Sequence, residues 1–152
     1  AYLSLATEIG GILGTITVGI LADRYVPKNR GQIVLPMTIA LSFSLLLYMH
    51  VAPLGAWPNF IAMFMVGFFL FGPDTLISGA CAQDVGGQEL SGSAAGFING
   101  LGSIGGITQG FITVYISETY GWNALFYFFF IFALLASFAT LPLLKQKQKQ
   151  FA

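Results

Sequence analysis

Residues 19–31 read GILADRYVPKNRG and hold three of the six Lys and Arg residues of this chain. The other three, Lys145, Lys147 and Lys149, lie in the C-terminal tail, residues 145–152. Around these two clusters run apolar stretches of roughly 18–25 residues, long enough to cross a hydrocarbon core of about 30 Å as α-helices. Because Lys and Arg are poorly translocated, both clusters are predicted on the cytoplasmic face. The pattern predicts a multi-pass integral membrane protein with a cytoplasmic C-terminus.

The composition supports a bilayer as the main partner of the chain. Apolar residues make up 56% and charged residues 8% of the 152 residues, with a mean hydropathy of +0.80, whereas soluble domains carry about 25% charged residues. The net charge of zero gives no electrostatic case for nucleic acid. The single His50 and single Cys81 are predicted at opposite ends of the membrane, so we expect no enzyme, metal site or cofactor. The chain begins without Met, on an apolar helix, which we interpret as a fragment or processed chain.

Five membrane spans are predicted, at about residues 3–21, 32–51, 60–82, 91–116 and 123–144. Together they form one all-α transmembrane bundle, residues 1–144. The dipeptide Gly72-Pro73 predicts a kink in the third span, because proline removes a backbone hydrogen bond. The inner loop Asp84–Leu90 follows, and its Asp84 and Glu89 are predicted to be solvated.

Glycines recur at four-residue intervals along the fourth span. Small residues at this spacing line one helix face and let a neighbouring backbone approach closely. They are therefore predicted to serve helix packing and, in a transporter, sliding of one helix on another: Gly92, Gly96, Gly100, Gly102, Gly106 and Gly110.

The stretch GILADRYVPKNRG resembles the Gly-x-x-x-Asp-Arg-x-x-x-[Arg/Lys] signature between the second and third helices of each half of major facilitator superfamily transporters. The matching residues are Gly19, Asp23, Arg24, Lys28 and Arg30. The resemblance implies a conformational switch, in which Asp23 meets the positive N-terminus of the fourth span, near Ser91–Ser93, in one state only. The alternative is that Asp23 and Arg24 merely end a helix in water.

A longer resemblance is to the organophosphate:phosphate antiporter family, which includes glycerol-3-phosphate and sugar-phosphate exchangers. It is carried by the segments Glu8–Asp23, Lys28–Gly31, Phe71–Pro73, Ala94–Phe97, Gly102–Gly106 and Gly121–Asn123. In this register the spans resemble helices 8–12 of a twelve-helix transporter; helices 2–6 are the alternative. The resemblance implies exchange of an organic phosphate (glycerol-3-phosphate, hexose phosphate or phosphoglycerate) for inorganic phosphate by alternating access. The phosphate-binding arginines would then lie in N-terminal helices missing from this chain.

Candidate residues for the substrate path are Glu8, Phe71, Asp74, Asn99 and Ser103. A carboxylate inside an apolar span is costly unless it is paired or faces water, and Glu8 matches an acidic position of the family. Asn99 either faces substrate or bonds another helix. Phe71 and Ser103 stand where some bacterial relatives have Tyr, which leaves the exact substrate open.

Two alternative functions stay open. One is a proton-coupled symporter of another small solute, with Glu8 or Asp74 carrying the proton. The other is a short membrane-embedded accessory protein. The charge pattern fits a plasma (inner) membrane and an organelle membrane equally.

Overall fold

Five helices account for most of the chain. The computed structural model describes residues 2–27 and 29–145, and of Val85, Gln88 and Lys145 it describes the backbone alone. The helices are α1 (Tyr2–Tyr25), α2 (Gly31–Val51), α3 (Ala56–Thr75), α4 (Ala82–Tyr120) and α5 (Trp122–Ala139). Between and after them lie a 3-10 turn (Ala52–Leu54), a π-helical segment (Leu76–Cys81) and a C-terminal 3-10 turn (Leu141–Lys145). The predicted all-α fold with five helices is confirmed.

Four stretches are long and apolar enough to cross a membrane: Tyr2–Tyr25, Gly31–Leu54, Ala56–Asp84 and Trp122–Leu144. They contain α1, α2, α3 and α5. The predicted fourth span lies within α4, which is long enough at 39 residues but is not among the four. Its many glycines and polar residues make it the least apolar of the five helices.

The helix ends differ from the predicted boundaries at the charged loops. Helix α1 continues to Tyr25, so Asp23 and Arg24 lie in its last turn rather than in a loop. Helix α4 already begins at Ala82, so the predicted inner loop is helical apart from a break at Gly87. Gly87 has φ 62° and ψ −166°, a conformation that residues with a side chain rarely adopt.

The predicted irregularity at Gly72-Pro73 takes the form of a change in helix type. Helix α3 runs through Pro73 and ends at Thr75, and the π-helical segment follows directly. Proline cannot donate the hydrogen bond that a regular helix needs, and wide π turns are one way to absorb that defect.

Helix α3 packs between α1 and α2, and α2 also contacts α5, whereas α4 contacts mainly the π-helical segment and α5. A cluster of buried apolar side chains joins α1, α2 and the π-helical segment: Val18, Ala22, Val34, Met37 and Leu76. Leu143 of the C-terminal turn packs against this cluster. The C-terminal turn thus lies beside the junction of α1 and α2.

Small residues allow α1 and α3 to approach each other closely. Buried residues of α1 recur every four positions: Ala6, Gly10, Gly14, Val18 and Ala22. A Cβ at Gly10 would overlap the carbonyl oxygen of Phe64, and one at Gly67 would overlap the carbonyl oxygen of Thr7. Backbone therefore rests directly on backbone, the packing typical of small residues at four-residue spacing in membrane helices.

The packing predicted for the glycines of α4 has no counterpart within the described chain. A Cβ at any of Gly92, Gly96, Gly100, Gly102, Gly106 or Gly110 would meet no atom within 4 Å. Their packing role stays a prediction, and it requires a partner other than the helices described here.

Candidate functional site

A charged cluster lies where α1, α2 and α4 come together at one end of the bundle. Arg30 Nη1 donates to both carboxylate oxygens of Asp84, at 3.1 and 3.2 Å. The same nitrogen donates to the carbonyl oxygen of Ala80 at 3.2 Å, and Nη2 lies 3.4 Å from Asp23 Oδ1. We call Asp23, Arg30, Ala80 and Asp84 the Arg30 cluster.

Each member of the Arg30 cluster is positioned by its element. Arg30 immediately precedes α2, and Asp23 lies in the last turn of α1. Ala80 belongs to the π-helical segment and Asp84 to the first turn of α4. In π-helical and kinked segments the hydrogen-bond ladder is irregular, which suits a carbonyl that accepts from a side chain.

Exposure separates the two ion pairs of Arg30. The side chains of Arg30 and Asp84 are 19% and 24% exposed, whereas that of Asp23 is 75% exposed. Exposed pairs contribute about 0–1 kcal/mol, while hydrogen bonds to charged groups that are partly shielded contribute about 1.5–3 kcal/mol. The bond to Asp84 is therefore the stronger one.

One sequence prediction about this region is wrong. Asp84, predicted to be solvated in a loop, is largely shielded and paired with Arg30. The physical reason is that Asp84 lies in the first turn of α4 rather than in a loop, beside Arg30 at the start of α2. Asp23 forms an ion pair with Arg30, and its contact with the start of the fourth span near Ser91–Ser93, expected in one state only, stays a prediction.

The rest of the signature lies outside the cluster. Arg24 places its guanidinium carbon 5.8 Å from the ring centroid of Tyr25, within the range of cation–π attraction. A Cβ at Gly19 would meet no atom within 4 Å. Lys28, Lys147 and Lys149 lie outside the described residues, as does the side chain of Lys145.

A second polar region follows the contact between α1 and α3. Thr15 Oγ1 and Thr75 Oγ1 lie 3.3 Å apart across the two helices. Glu8 is two turns before Thr15 on the same face of α1, and Asp74 precedes Thr75. Both carboxylates are exposed rather than packed against this bundle. We call Glu8, Thr15, Asp74 and Thr75 the α1–α3 polar strip.

The predicted path residues fall into two groups. Phe71 is half-buried, and its ring lies against the backbone of Gly11, between the levels of Glu8 and Thr15. Phe71, Glu8 and Asp74 therefore share the α1–α3 contact region. Asn99 and Ser103 lie on α4, both exposed, and Ser103 donates to the backbone carbonyl of Asn99 at 2.9 Å. The structure does not bring these two into the polar strip, and the substrate role of all five stays a prediction.

The strip offers hydroxyls and carboxylates. Such groups can hydrogen-bond to a polyhydroxy solute, but a phosphate dianion in a low dielectric needs cations or several N–H donors. Among the described residues, no three His, Cys, Asp or Glu side chains are grouped so that they could hold a metal ion. The cross-helix contact between Thr15 and Thr75 was not predicted, because no sequence motif indicates it.

Comparison with known proteins found membrane transporters. No protein-family model matches the chain, and no solved structure matches it. The chain is 30% identical to sugar phosphate exchanger 3 of Mus musculus over 149 residues and 33% identical to that of Gallus gallus over 138 residues, covering 93% and 86% of this chain. It is 31% identical over 144 residues to a probable hexose phosphate transport protein of Chlamydia trachomatis, covering 89% of this chain. The chain spans 27–30% of the length of these relatives.

Proposed function

We propose that this chain forms the last five helices of a transporter of the organophosphate:phosphate antiporter family. The chain belongs to this family together with the sugar phosphate exchangers and the hexose phosphate transport proteins. The transporter would exchange an organic phosphate for inorganic phosphate by alternating access. The organic phosphate would be glycerol-3-phosphate, a hexose phosphate or a phosphoglycerate. The similarity to these relatives over most of the chain is the observation that carries the proposal.

The Arg30 cluster supports a switching role. One guanidinium links the end of α1, the start of α2, the π-helical segment and α4 through bonds of 3.1–3.4 Å. Contacts of this kind, present in one state and broken in another, bias a two-state equilibrium by their free energy. The proposal is that the cluster stabilises one of the two states of the transporter.

The polar strip supports a role in contacting the organic part of the substrate. The described helices place no Lys or Arg beside Glu8, Thr15, Asp74 or Thr75. We therefore assign the phosphate group to arginines in N-terminal helices of the same transporter. The substrate path would include Glu8 and Asp74 with Phe71 on one side, and Asn99 with Ser103 on α4.

Counterflow in proteoliposomes tests the proposal. The full-length natural protein would be reconstituted in vesicles loaded with inorganic phosphate, and labelled phosphate would be offered outside. Glycerol-3-phosphate, hexose phosphates and phosphoglycerates would serve as competitors, and protein-free vesicles as the control. Saturable uptake that one competitor blocks would support the proposal. Absence of uptake by correctly folded protein would refute it.

A proton-coupled symporter is the second candidate, favoured by the two exposed carboxylates, Glu8 and Asp74. In that case uptake would follow an imposed pH gradient and would not require phosphate inside the vesicle. A short accessory protein would show neither behaviour alone and would act only with a partner. The same vesicles, with and without the pH gradient, separate all three. Localisation of a tagged protein would distinguish a plasma (inner) membrane from an organelle membrane and show whether the C-terminus is cytoplasmic.

A further inference from the structure

The C-terminal turn contacts the loop that carries Arg30. Asn29 Nδ2 donates to the backbone carbonyl of Leu144 at 2.6 Å, across 115 positions of the chain. A Cβ at Gly31 would lie 2.7 Å from the carbonyl carbon of Leu143 and 2.8 Å from its Cβ. Both residues that flank Arg30 are therefore held by the same turn.

The turn is itself anchored. Leu143 packs against the apolar cluster that includes Val18, Val34 and Leu76. The backbone N–H of Leu143 also donates to the carbonyl of Thr140 at 3.0 Å, which closes the turn. A short turn anchored in this way has little conformational freedom, so it can hold a neighbouring loop in one position.

From this geometry we propose that the C-terminal turn is a latch that positions Arg30 for its bonds to Ala80 and Asp84. Asn29 and Gly31 are then positioning residues, which act through Arg30. The guanidinium makes bonds of 3.1–3.2 Å to two elements at once, so its placement is sensitive to a small shift of the backbone. Withdrawal of the turn would loosen the contact between the loop and the π-helical segment. A role of this latch in conformational switching rests on the proposed transport function. The structural coupling between the C-terminal turn and Arg30 does not depend on that function.

Hydrogen exchange measured by mass spectrometry tests the coupling in the full-length protein without any transport assay. Asn29→Ala removes the bond to Leu144, and Gly31→Ala pushes Leu143 away. We expect both to speed exchange in the peptide covering the π-helical segment and Asp84 about tenfold, which corresponds to about 1.4 kcal/mol. Gln32→Ala is the matched control, because Gln32 is exposed in the first turn of α2, next to Gly31, and it should leave exchange in that peptide unchanged.

A double-variant experiment distinguishes positioning of Arg30 by Asn29 from a general destabilisation of the protein. In an Arg30→Gln background, Asn29→Ala should add no further exchange to the peptide covering Ala80 and Asp84, because the bonds through which it acts are already gone. An equal added effect in that background would overturn the proposal, as would an Asn29→Ala effect confined to the C-terminal turn. If Gly31→Ala does not fold, Asn29→Ala carries the test alone. Loss of phosphate counterflow in the parent protein would refute the transport function but leave this result standing.

Discussion

Arg30 and Asp84, 54 positions apart in sequence, join through two hydrogen bonds of 3.1 and 3.2 Å from one guanidinium nitrogen. The contact connects the start of α2 to the first turn of α4. Among the described residues, no other ion pair joins these two helices. It therefore couples the start of α2 to α4, whose other contacts are mainly with the π-helical segment and α5.

Asp84→Asn should impair transport more than Asp23→Asn does. Both carboxylates contact Arg30, but Asp84 is 24% exposed and Asp23 is 75% exposed. A shielded pair contributes about 1.5–3 kcal/mol and an exposed one about 0–1 kcal/mol. We expect about a tenfold or larger shift between inward-facing and outward-facing states for Asp84→Asn, and less than fivefold for Asp23→Asn. Substrate-protected thiol labelling at the two faces of the transporter would measure it. Equal effects of the two variants would contradict the larger free-energy contribution assigned to the Arg30–Asp84 pair.

Enlarging the glycines between α1 and α3 should destabilise the protein. Gly10→Leu and Gly67→Leu place side chains where backbone carbonyls of the facing helix now lie. Overpacking of a close contact costs about 1–3 kcal/mol. Thermal unfolding followed by fluorescence-detected size exclusion should show a lowered midpoint for both. Gly79→Ala, which meets no atom within 4 Å, is the control, and a midpoint lowered as far by this variant would argue against the close contact.

Sequence reasoning found the helices but not how they pack. Apolar runs of membrane-spanning length are a property of the sequence alone, so the four helices that carry them, α1, α2, α3 and α5, could be predicted for that reason. The pairing of Asp84 could not, because it depends on the π-helical segment that carries α3 into α4 without a loop. Small residues at every fourth position of α1 indicate a close helix contact. They do not indicate which helix makes it, so the contact of Gly10 with Phe64 could not be predicted.

The glycines of α4 should matter only when further helices are present. A Cβ at Gly96 or at Gly100 would meet no atom within 4 Å in the described chain, so Gly96→Leu and Gly100→Leu should leave the contact between α1 and α3 unchanged. In the full-length transporter we expect each to lower exchange about tenfold, because close packing of membrane helices relies on small residues. A disulfide between Thr15→Cys and Thr75→Cys, whose parent hydroxyls lie 3.3 Å apart, would report the α1–α3 contact. Normal exchange by both leucine variants would show that this face stays exposed to lipid.

Glu8→Gln should abolish most exchange while leaving insertion and folding intact. Glu8 is exposed on the α1–α3 polar strip, so replacing it removes a charge without opening a cavity or removing a contact within this bundle. A carboxylate retained in an apolar span is expected to be functional, since an unpaired charge there is costly. Exchange should fall at least about tenfold, equivalent to about 1.4 kcal/mol or more. The measurement is uptake of a labelled organic phosphate into phosphate-loaded vesicles at matched protein density.

Asp74→Asn is the companion variant, because Asp74 is the other exposed carboxylate of the strip. If both acids only interact with substrate hydroxyls, the two variants should weaken competition by the organic phosphate more than they slow phosphate self-exchange. If either acid carries a coupling proton, its amide variant should instead remove the response to a pH gradient. Full activity of Glu8→Gln in both assays would reduce Glu8 to a structural residue and shift the substrate path away from α1.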